Sequence, residues 1–317
     1  MHVNIKINNM KKSILLNLLL SFSCHFIFLA STFGQNTNVD TNGNLPVVSD
    51  EIYRSIVQFY DYDSDIPLDA GIVGSQKLPY GTREKIIFTG VNYSRVPSYL
   101  VIPKNGASSH PVVLIVDGIF GSKERWFDDM SWPKGGQVTK ALLSNGFAVM
   151  ILDAVYHGER SAENDYEGPS LKYPIAARNM IMQTTCEYRR AIDYLSTRKE
   201  IDSTRIGMLG LSMGGLITFQ MTSVDSRIKT AIAGVTPQLR NPKYQPIESA
   251  TFASRVQCNS FLMFMGNKDS WYTMKEAYQL FELIPIQKKE FVEYDTGHKP
   301  PVEYIEKVTD WFVKNLK

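Results

Sequence analysis

The 317-residue sequence has few cysteines and no large excess of either charge. Its three cysteines, Cys24, Cys186 and Cys258, are too scattered for a disulfide scaffold or a zinc knuckle. Lys and Arg number 34 against 32 Asp and Glu, without a basic cluster, so the chain lacks a field that gathers phosphates. We therefore expect no nucleic-acid partner, and we expect Cys186 and Cys258 to be separate buried thiols.

Several cofactor and linker signatures are absent as well. The sequence contains no Gly-Lys-Ser/Thr phosphate loop and no His-Glu-x-x-His zinc motif, so we predict neither a metal nor an organic cofactor. No Pro/Gly/Ser-rich linker interrupts residues 84–317, and a hydrophobic content of 44% suits a folded core. We expect residues 49–317 to form a single domain.

The amino terminus has the three-part pattern of a secretory signal. Residues 1–12 are polar and basic, residues 13–30 are mostly apolar, and residues 31–35 are small and polar. This pattern predicts a signal peptide over residues 1–34, with cleavage before Gln35. An uncleaved membrane anchor is the alternative, because the apolar run is nearly long enough to span a bilayer.

The segments around and after this signal refine the prediction. Ser21 stands where a lipobox requires Leu, so we do not expect Cys24 to carry a lipid. Residues 35–48 are rich in Asn, Thr and Gly and predict a flexible leader. We therefore expect export to the periplasm or the medium, with no membrane association after cleavage.

Short apolar runs alternate with amphipathic stretches along the rest of the chain. Unbroken apolar runs of strand length predict strands covered on both faces, as in a parallel sheet. Residues 176–195 and 302–316 have apolar side chains at helical spacing. This alternation predicts a three-layer α/β fold, with a mostly parallel sheet of about eight strands and helices on both faces. The predicted strands are 85–88, 97–102, 112–116, 147–152, 206–209, 230–235, 261–265 and a last strand just before Tyr294.

The sequence Gly210-Leu211-Ser212-Met213-Gly214 follows a predicted strand and precedes a predicted helix. G-x-S-x-G in this context forms the sharp turn that exposes a nucleophilic serine. Glycine at 210 and 214 lets the backbone turn without side-chain clashes. A phosphate-binding turn is the alternative, but the glycines here do not fit G-x-G-x-x-G. Ser212 is therefore the predicted nucleophile.

A serine hydroxyl needs a base to remove its proton, and the sequence contains five histidines. In enzymes with this turn, the chain order of the catalytic residues is serine, acid, histidine. His298 alone follows Ser212, and it lies in a loop between the last predicted strand and the last predicted helix. The order therefore indicates His298 as the base.

The predicted acid is Asp269, which follows the strand at 261–265 in the turn Gly-Asn-Lys-Asp. Sites in open α/β sheets gather beyond the carboxyl ends of the strands. From there Asp269 would orient His298 and stabilise its charged form. Asp295 is a rival because it is close to His298 in sequence, but a short loop does not aim its carboxylate at the far ring nitrogen.

These three motifs resemble the α/β-hydrolase superfamily, above all its branch of dienelactone hydrolases and acetyl xylan esterases. They are Ser212 in Gly-Leu-Ser-Met-Gly-Gly, Asp269 in Gly-Asn-Lys-Asp and His298 in Thr-Gly-His. The resemblance covers roughly residues 60–317 and implies the α/β-hydrolase fold with a catalytic triad. Residues 236–260 have room for a short cap only.

The resemblance also implies an oxyanion hole made of two main-chain N–H groups. Met213, directly after the nucleophile, supplies one of them by its position. Similarity to the family's His-Gly-x loop indicates Ile119 as the second donor, with Phe120 as the neighbouring alternative. Asp117 stands where that loop usually has histidine, which departs from the family pattern.

Aromatic residues in the loops after the strands are candidates for the pocket wall, although aromatic side chains are more often core residues. Phe120, Tyr156 and Trp271 are the predicted pocket residues. His157 and Arg160 we interpret as structural, since they can pin their loop through hydrogen bonds to main chain and carboxylates. The other aromatic residues in such loops are Trp126, Phe127, Trp132 and Tyr272.

Together these features predict an exported serine esterase that acts on small-molecule or polymer-borne esters through an acyl-enzyme. A serine peptidase of the prolyl-oligopeptidase kind uses the same triad and is one alternative, although this chain is too short to hold the usual propeller domain. A non-catalytic binding protein on the hydrolase scaffold is the other, because a fold does not determine a function.

Overall fold

A central β-sheet organises the residues that the computed structural model describes, 45–163 and 170–317. Its nine strands are β1 (Gly71–Leu78), β2 (Gly81–Thr89), β3 (Arg95–Pro103), β4 (His110–Val116), β5 (Ala148–Leu152), β6 (Ile201–Leu211), β7 (Ile228–Gly234), β8 (Ser260–Gly266) and β9 (Lys289–Tyr294). They lie side by side in the order β1-β2-β3-β5-β4-β6-β7-β8-β9. The chain therefore crosses over between β3 and β6 and then adds strands in sequence.

The sheet changes from antiparallel to parallel pairing at β5. The pairs β1/β2, β2/β3 and β3/β5 are antiparallel. The pairs from β5/β4 through β8/β9 are all parallel. Every residue of β4, β5 and β8 is buried, as expected for strands covered on both faces. The parallel strands all end at one edge of the sheet, where the loops that follow them meet.

Helices cover both faces of the sheet. Those of the described residues are α1 (Asp50–Val57), α2 (Gly135–Ser144), α3 (Pro174–Leu195), α4 (Met213–Val224), α5 (Ser249–Ala253), α6 (Met274–Glu282) and α7 (Tyr304–Leu316). One apolar core joins the sheet to α3, α4, α5 and α6, and a second core joins it to α2 and α7. Side chains alternate between the two cores along a strand. In β4, Leu114 belongs to the first core and Ile115 to the second.

This arrangement confirms the predicted three-layer α/β class, with one strand more than the eight expected. The additional strand is β1, whose residues are mostly exposed and which pairs only with β2 at the sheet edge. It lacks the apolar run that marked the other strands, because an edge strand with one solvated face need not be apolar. Between β7 and β8 the chain forms only a 3-10 turn, Pro242–Ile247, and α5, which agrees with the short cap expected.

The predicted signal peptide, residues 1–34, lies outside the described residues, as does most of the predicted leader, 35–48. At the end of that leader, Val48 is buried. None of the helices described for the chain has both the length and the apolar character needed to cross a membrane. Cys186 and Cys258 are free thiols and both are buried, as expected.

Candidate active site

Ser212 lies on a strained turn between β6 and α4. Its backbone has φ 58° and ψ −117°, which a non-glycine residue adopts only when its surroundings impose it. A Cβ at Gly210 would overlap the carbonyl oxygen of Gly214, and one at Gly214 would overlap that of Val116. Glycine is therefore required on both sides of Ser212, and the turn presents the serine at the amino end of α4.

Three side chains from separate loops form one hydrogen-bonded chain. Nε2 of His298 lies 2.8 Å from Oγ of Ser212, and Nδ1 of His298 lies 2.7 Å from Oδ2 of Asp269. Because a carboxylate only accepts, Nδ1 carries a proton and donates to Asp269, which leaves Nε2 to accept the hydroxyl proton of Ser212. The Asp269 side chain is completely buried, while that of His298 is 26% exposed. This geometry suits the transfer of the serine proton to a histidine that a carboxylate orients.

The loops that carry Asp269 and His298 are fastened to each other through their main chains. The Lys268 N–H donates to the carbonyl of Thr296 at 2.8 Å, and no space is left for a Cβ at Gly266 beside the carbonyls of that loop. The Trp271 N–H donates to Oδ1 of Asp269 at 2.9 Å. Both carboxylate oxygens of Asp269 are thus engaged, one by main chain and one by the imidazole.

Asp295, the rival acid, does not reach the imidazole. Its carboxylate pairs with the ammonium of Lys268 at 2.8 Å, and its side chain is 73% exposed. The exposed pairing at the outside of the loop explains why closeness along the chain is a poor guide here. It is Asp269, from the neighbouring loop, that contacts His298.

The candidate oxyanion donors lie on two sides of Ser212. Met213 begins α4, where the first N–H groups of a helix have no partner within the helix. Gly118 packs so closely on the serine that a Cβ there would lie 3.1 Å from Cβ of Ser212. Within residues 45–163 and 170–317, the N–H groups of Met213, Ile119 and Phe120 donate no hydrogen bond. These groups are therefore available to an oxyanion, and Ile119, adjacent to Gly118, stays our candidate for the second donor.

Two indole rings flank the imidazole of His298. The ring centroid of Trp271 lies 6.0 Å from that of His298, and that of Trp132 lies 5.8 Å away. Trp271 was among the predicted pocket residues, whereas Trp132 was only one of several loop aromatics. Nothing in the sequence around Trp132 marks it, because a loop more than a hundred residues upstream brings it to His298.

The other predicted pocket residues occupy different environments. Phe120 is 61% exposed and has a positive φ of 64° in the loop beside Ser212. Tyr156 is half-buried and packs against the first core. Trp126 is buried in the second core and Tyr272 in the first, so these two are core residues.

A carboxylate cluster in the segments after β4 and β5 resembles a metal centre but already holds a cation. Oxygens of Glu124, Asp153 and Glu159 lie within 4.8 Å of one another. The buried ammonium of Lys123 contacts them at 2.8, 2.6 and 2.5 Å. Burial opposes the charge of Lys123, but its hydrogen bonds to the carboxylates raise its pKa. Lys123 therefore fills the place that a metal ion would take.

His157 and Arg160 hold their loop, as interpreted from the sequence. Nδ1 of His157 lies 2.8 Å from the carbonyl of Val155. Arg160 pairs with the buried Glu187 at 2.5 Å. Burial lowers the pKa of His157 to about 4, and the charge of Arg160 contributes in the same direction. His157 is therefore a neutral structural side chain.

Comparison with known proteins identifies the fold and a family. The sequence model of the dienelactone hydrolase family matches residues 96–292. Acetyl xylan esterase 1 from Thermoanaerobacterium sp. JW/SL YS485 superposes with a TM-score of 0.69 at 15% identity, over 86% of this chain and 95% of that one. The acetyl xylan esterase from Paenibacillus sp. R4 gives 0.65 at 18% identity, over 90% and 98% of the two chains. At such identities the structural likeness establishes the α/β-hydrolase fold alone.

The curated relatives match over shorter stretches. YtaP of Bacillus subtilis (strain 168) is 27% identical over 146 residues, which are 44% of this chain and 48% of YtaP. The chain thus spans about half the length of the curated relatives it matches, or less.

Proposed function

The chain belongs to the dienelactone hydrolase family, and on this premise we propose that it is an exported serine hydrolase that cleaves carboxylic esters. The observation that carries the proposal is the hydrogen-bonded chain from Ser212 through His298 to Asp269. Ser212 and Asp269 lie inside the region matched by the family, and His298 follows beyond its end.

In the proposed acylation step, Oγ of Ser212 attacks the carbonyl carbon of the ester while Nε2 of His298 takes the hydroxyl proton. Asp269 stabilises the imidazolium that forms. The N–H groups of Met213 and Ile119 donate to the oxyanion of the tetrahedral intermediate. His298 then gives its proton to the leaving alkoxide, so that the alcohol departs and the acyl group stays on Ser212.

Deacylation repeats these steps with water as the nucleophile. His298 removes a proton from the water as it attacks the acyl carbonyl, and the same N–H groups hold the second oxyanion. The bond between the acyl carbon and Oγ of Ser212 breaks, and Ser212 recovers its proton from His298. The products are a carboxylic acid and the free enzyme.

We place the substrates among small-molecule or polymer-borne esters. The structural relatives described above are named as acetyl xylan esterases, which favours short acyl groups. The segment between β7 and β8 forms only a short cap, so the proposed site needs no lid to open. Trp271, Phe120 and Tyr156 are proposed to wall the pocket, together with Trp132.

Labelling of Ser212 tests the mechanism directly. A fluorophosphonate probe should label the folded full-length protein, and the protein should hydrolyse p-nitrophenyl acetate faster than longer-chain esters. Ser212→Ala should abolish labelling and lower turnover by at least about 10⁴-fold without changing the melting temperature appreciably. Faster cleavage of a Pro-containing anilide than of any ester would favour a peptidase, and absence of labelling would favour a non-catalytic binding protein.

Export rests on the signal peptide predicted for residues 1–34 and needs its own experiment. Amino-terminal sequencing of the protein recovered outside the cytoplasm should find Gln35 as the first residue. Recovery of a cytoplasmic protein that still begins with the predicted signal would contradict this part of the proposal while leaving the esterase mechanism unaffected.

A further inference from the structure

Asp117 occupies the inside of the oxyanion loop, residues 117–121. Its side chain is buried, and Oδ1 accepts a hydrogen bond from the Gly118 N–H at 2.7 Å. The Gly121 N–H donates to the carbonyl of Gly118 at 3.0 Å and closes the turn. A Cβ at Gly121 would overlap the carboxyl group of Asp117, so this carboxyl group fills the space that the turn encloses. The loop is thus folded around the Asp117 side chain.

The same loop lies directly against the nucleophile. Gly118 contacts Ser212, and the carbonyl oxygens of Val116 and Asp117 leave no room for a Cβ at Gly214 on the first turn of α4. A shift of the loop would therefore change the distance between the Ile119 N–H and the oxygen of the carbonyl group that Ser212 attacks. Misplacement of such a group by about 1 Å costs on the order of 100-fold in rate.

The residues around Asp117 keep its carboxyl group in place. The guanidinium of Arg125 lies 3.5 Å from Oδ2 of Asp117. Burial raises the pKa of the phenols of Tyr188 and Tyr304, and the charge of Asp117 contributes in the same direction. Both phenols are occupied, since Tyr188 donates to the Ile115 carbonyl and Tyr304 to that of Pro133. Burial raises the pKa of Asp117 to about 6, although Arg125 and the Gly118 N–H oppose the shift.

We propose that Asp117 is a positioning residue that fixes the oxyanion loop by accepting the Gly118 N–H, so that the Ile119 N–H faces the transition-state oxyanion. The inference rests on the proposed ester hydrolysis. Since the negative charge on this oxygen develops on the way to the tetrahedral intermediate and is absent from the bound ester, loss of this positioning should lower kcat and leave KM unchanged.

The experiment compares Asp117→Ala with Asp117→Asn in hydrolysis of p-nitrophenyl acetate by the full-length protein. Asp117→Ala removes the acceptor and should lower kcat by about 10- to 100-fold, with KM within about twofold. Asp117→Asn keeps an oxygen that accepts the Gly118 N–H, so its kcat should stay within about threefold of the wild type. Melting temperatures identify any variant that fails to fold.

Two further variants complete the design. Gly121→Ala should lower kcat as Asp117→Ala does, because its Cβ displaces the carboxyl group from the turn, and it serves if Asp117→Ala does not fold. Asp202→Ala is the matched control: Asp202 also accepts a main-chain N–H, that of Thr204 at 3.0 Å, but at the opposite end of β6 from Ser212. Its kcat should stay within about twofold of the wild type.

Specific outcomes would overturn the inference. They are an unchanged kcat in Asp117→Ala and Gly121→Ala, an effect confined to KM, or an Asp117→Asn variant as slow as Asp117→Ala. In each of these cases the wild type still hydrolyses esters, so the proposed function stands. A wild type that neither turns over esters nor reacts with a fluorophosphonate would overturn both.

Discussion

Two loops at the same edge of the sheet each carry a histidine, and they use it in opposite ways. His298 follows β9, is 26% exposed, and bridges Asp269 and Ser212. His157 follows β5, is 3% exposed, and is bound through Nδ1 to the carbonyl of Val155 in its own loop. The imidazole of His298 therefore connects two side chains, whereas that of His157 is buried and hydrogen-bonded to the main chain.

The partners of each ring account for this difference. A general base must gain and lose a proton, so its charged form needs a stabilising neighbour. The buried carboxylate of Asp269 provides that neighbour for His298. His157 has burial and the cation of Arg160 instead, and both disfavour its charged form. The fold thus distinguishes a base from a structural histidine by the group that it places at Nδ1. This group is a carboxylate for His298 and a main-chain carbonyl for His157.

The same substitution at both histidines should give the largest contrast. His298→Asn removes the proposed base and should lower kcat/KM for p-nitrophenyl acetate by at least about 10⁴-fold. His157→Asn should stay within about tenfold of the wild type at pH 7.5, because an amide can replace the hydrogen bond to Val155. Steady-state kinetics of the purified variants measure both. Losses of similar size would break the distinction between the two loops.

The parts of this site that a sequence predicts are those with a local signature. Ser212 lies between two glycines that a sharp turn requires, and apolar runs mark the strands before Ser212 and Asp269. Chain order then leaves a single histidine for the third position. All three candidates could be named because each lies just beyond the end of a recognisable strand, where parallel strands bring their loops together.

Features formed by contacts between distant segments could not be predicted. Trp132 reaches His298 from the loop after β4, and no spacing rule reveals this contact. The edge strand β1 was not predicted for a different reason, since its exposed side chains have no apolar pattern. Local sequence encodes turns and buried strands, whereas the surroundings of the reactive groups depend on the completed fold.

The two aspartates near His298 sharpen the comparison at a smaller scale. Asp269→Asn removes the charge that stabilises the imidazolium and should lower kcat by about 10²- to 10⁴-fold. Asp295→Asn alters an exposed pair with Lys268 and should leave kcat within about twofold. Steady-state kinetics at pH 7.5 measure both variants. In each of them one carboxylate of the wild type is replaced by an amide. Equal losses would show that the acid has been assigned to the wrong loop.

The smallest expected effect concerns stability rather than rate. Burial holds the pKa of His157 near 4, below the value of about 6.5 for an unfolded histidine. As the pH falls from 6.5 to 4 the unfolded chain takes up a proton that the folded chain refuses, so the free energy of unfolding decreases by up to about 3 kcal/mol. His157→Asn lacks this titration, and its free energy of unfolding should decrease less than that of the wild type over this range. Urea unfolding at pH 7.5 and pH 4.5 measures the difference, in which the other titrating groups cancel. Parallel losses in the two proteins would mean that His157 is not held neutral, and the contrast between the two loops would then rest on His298 alone.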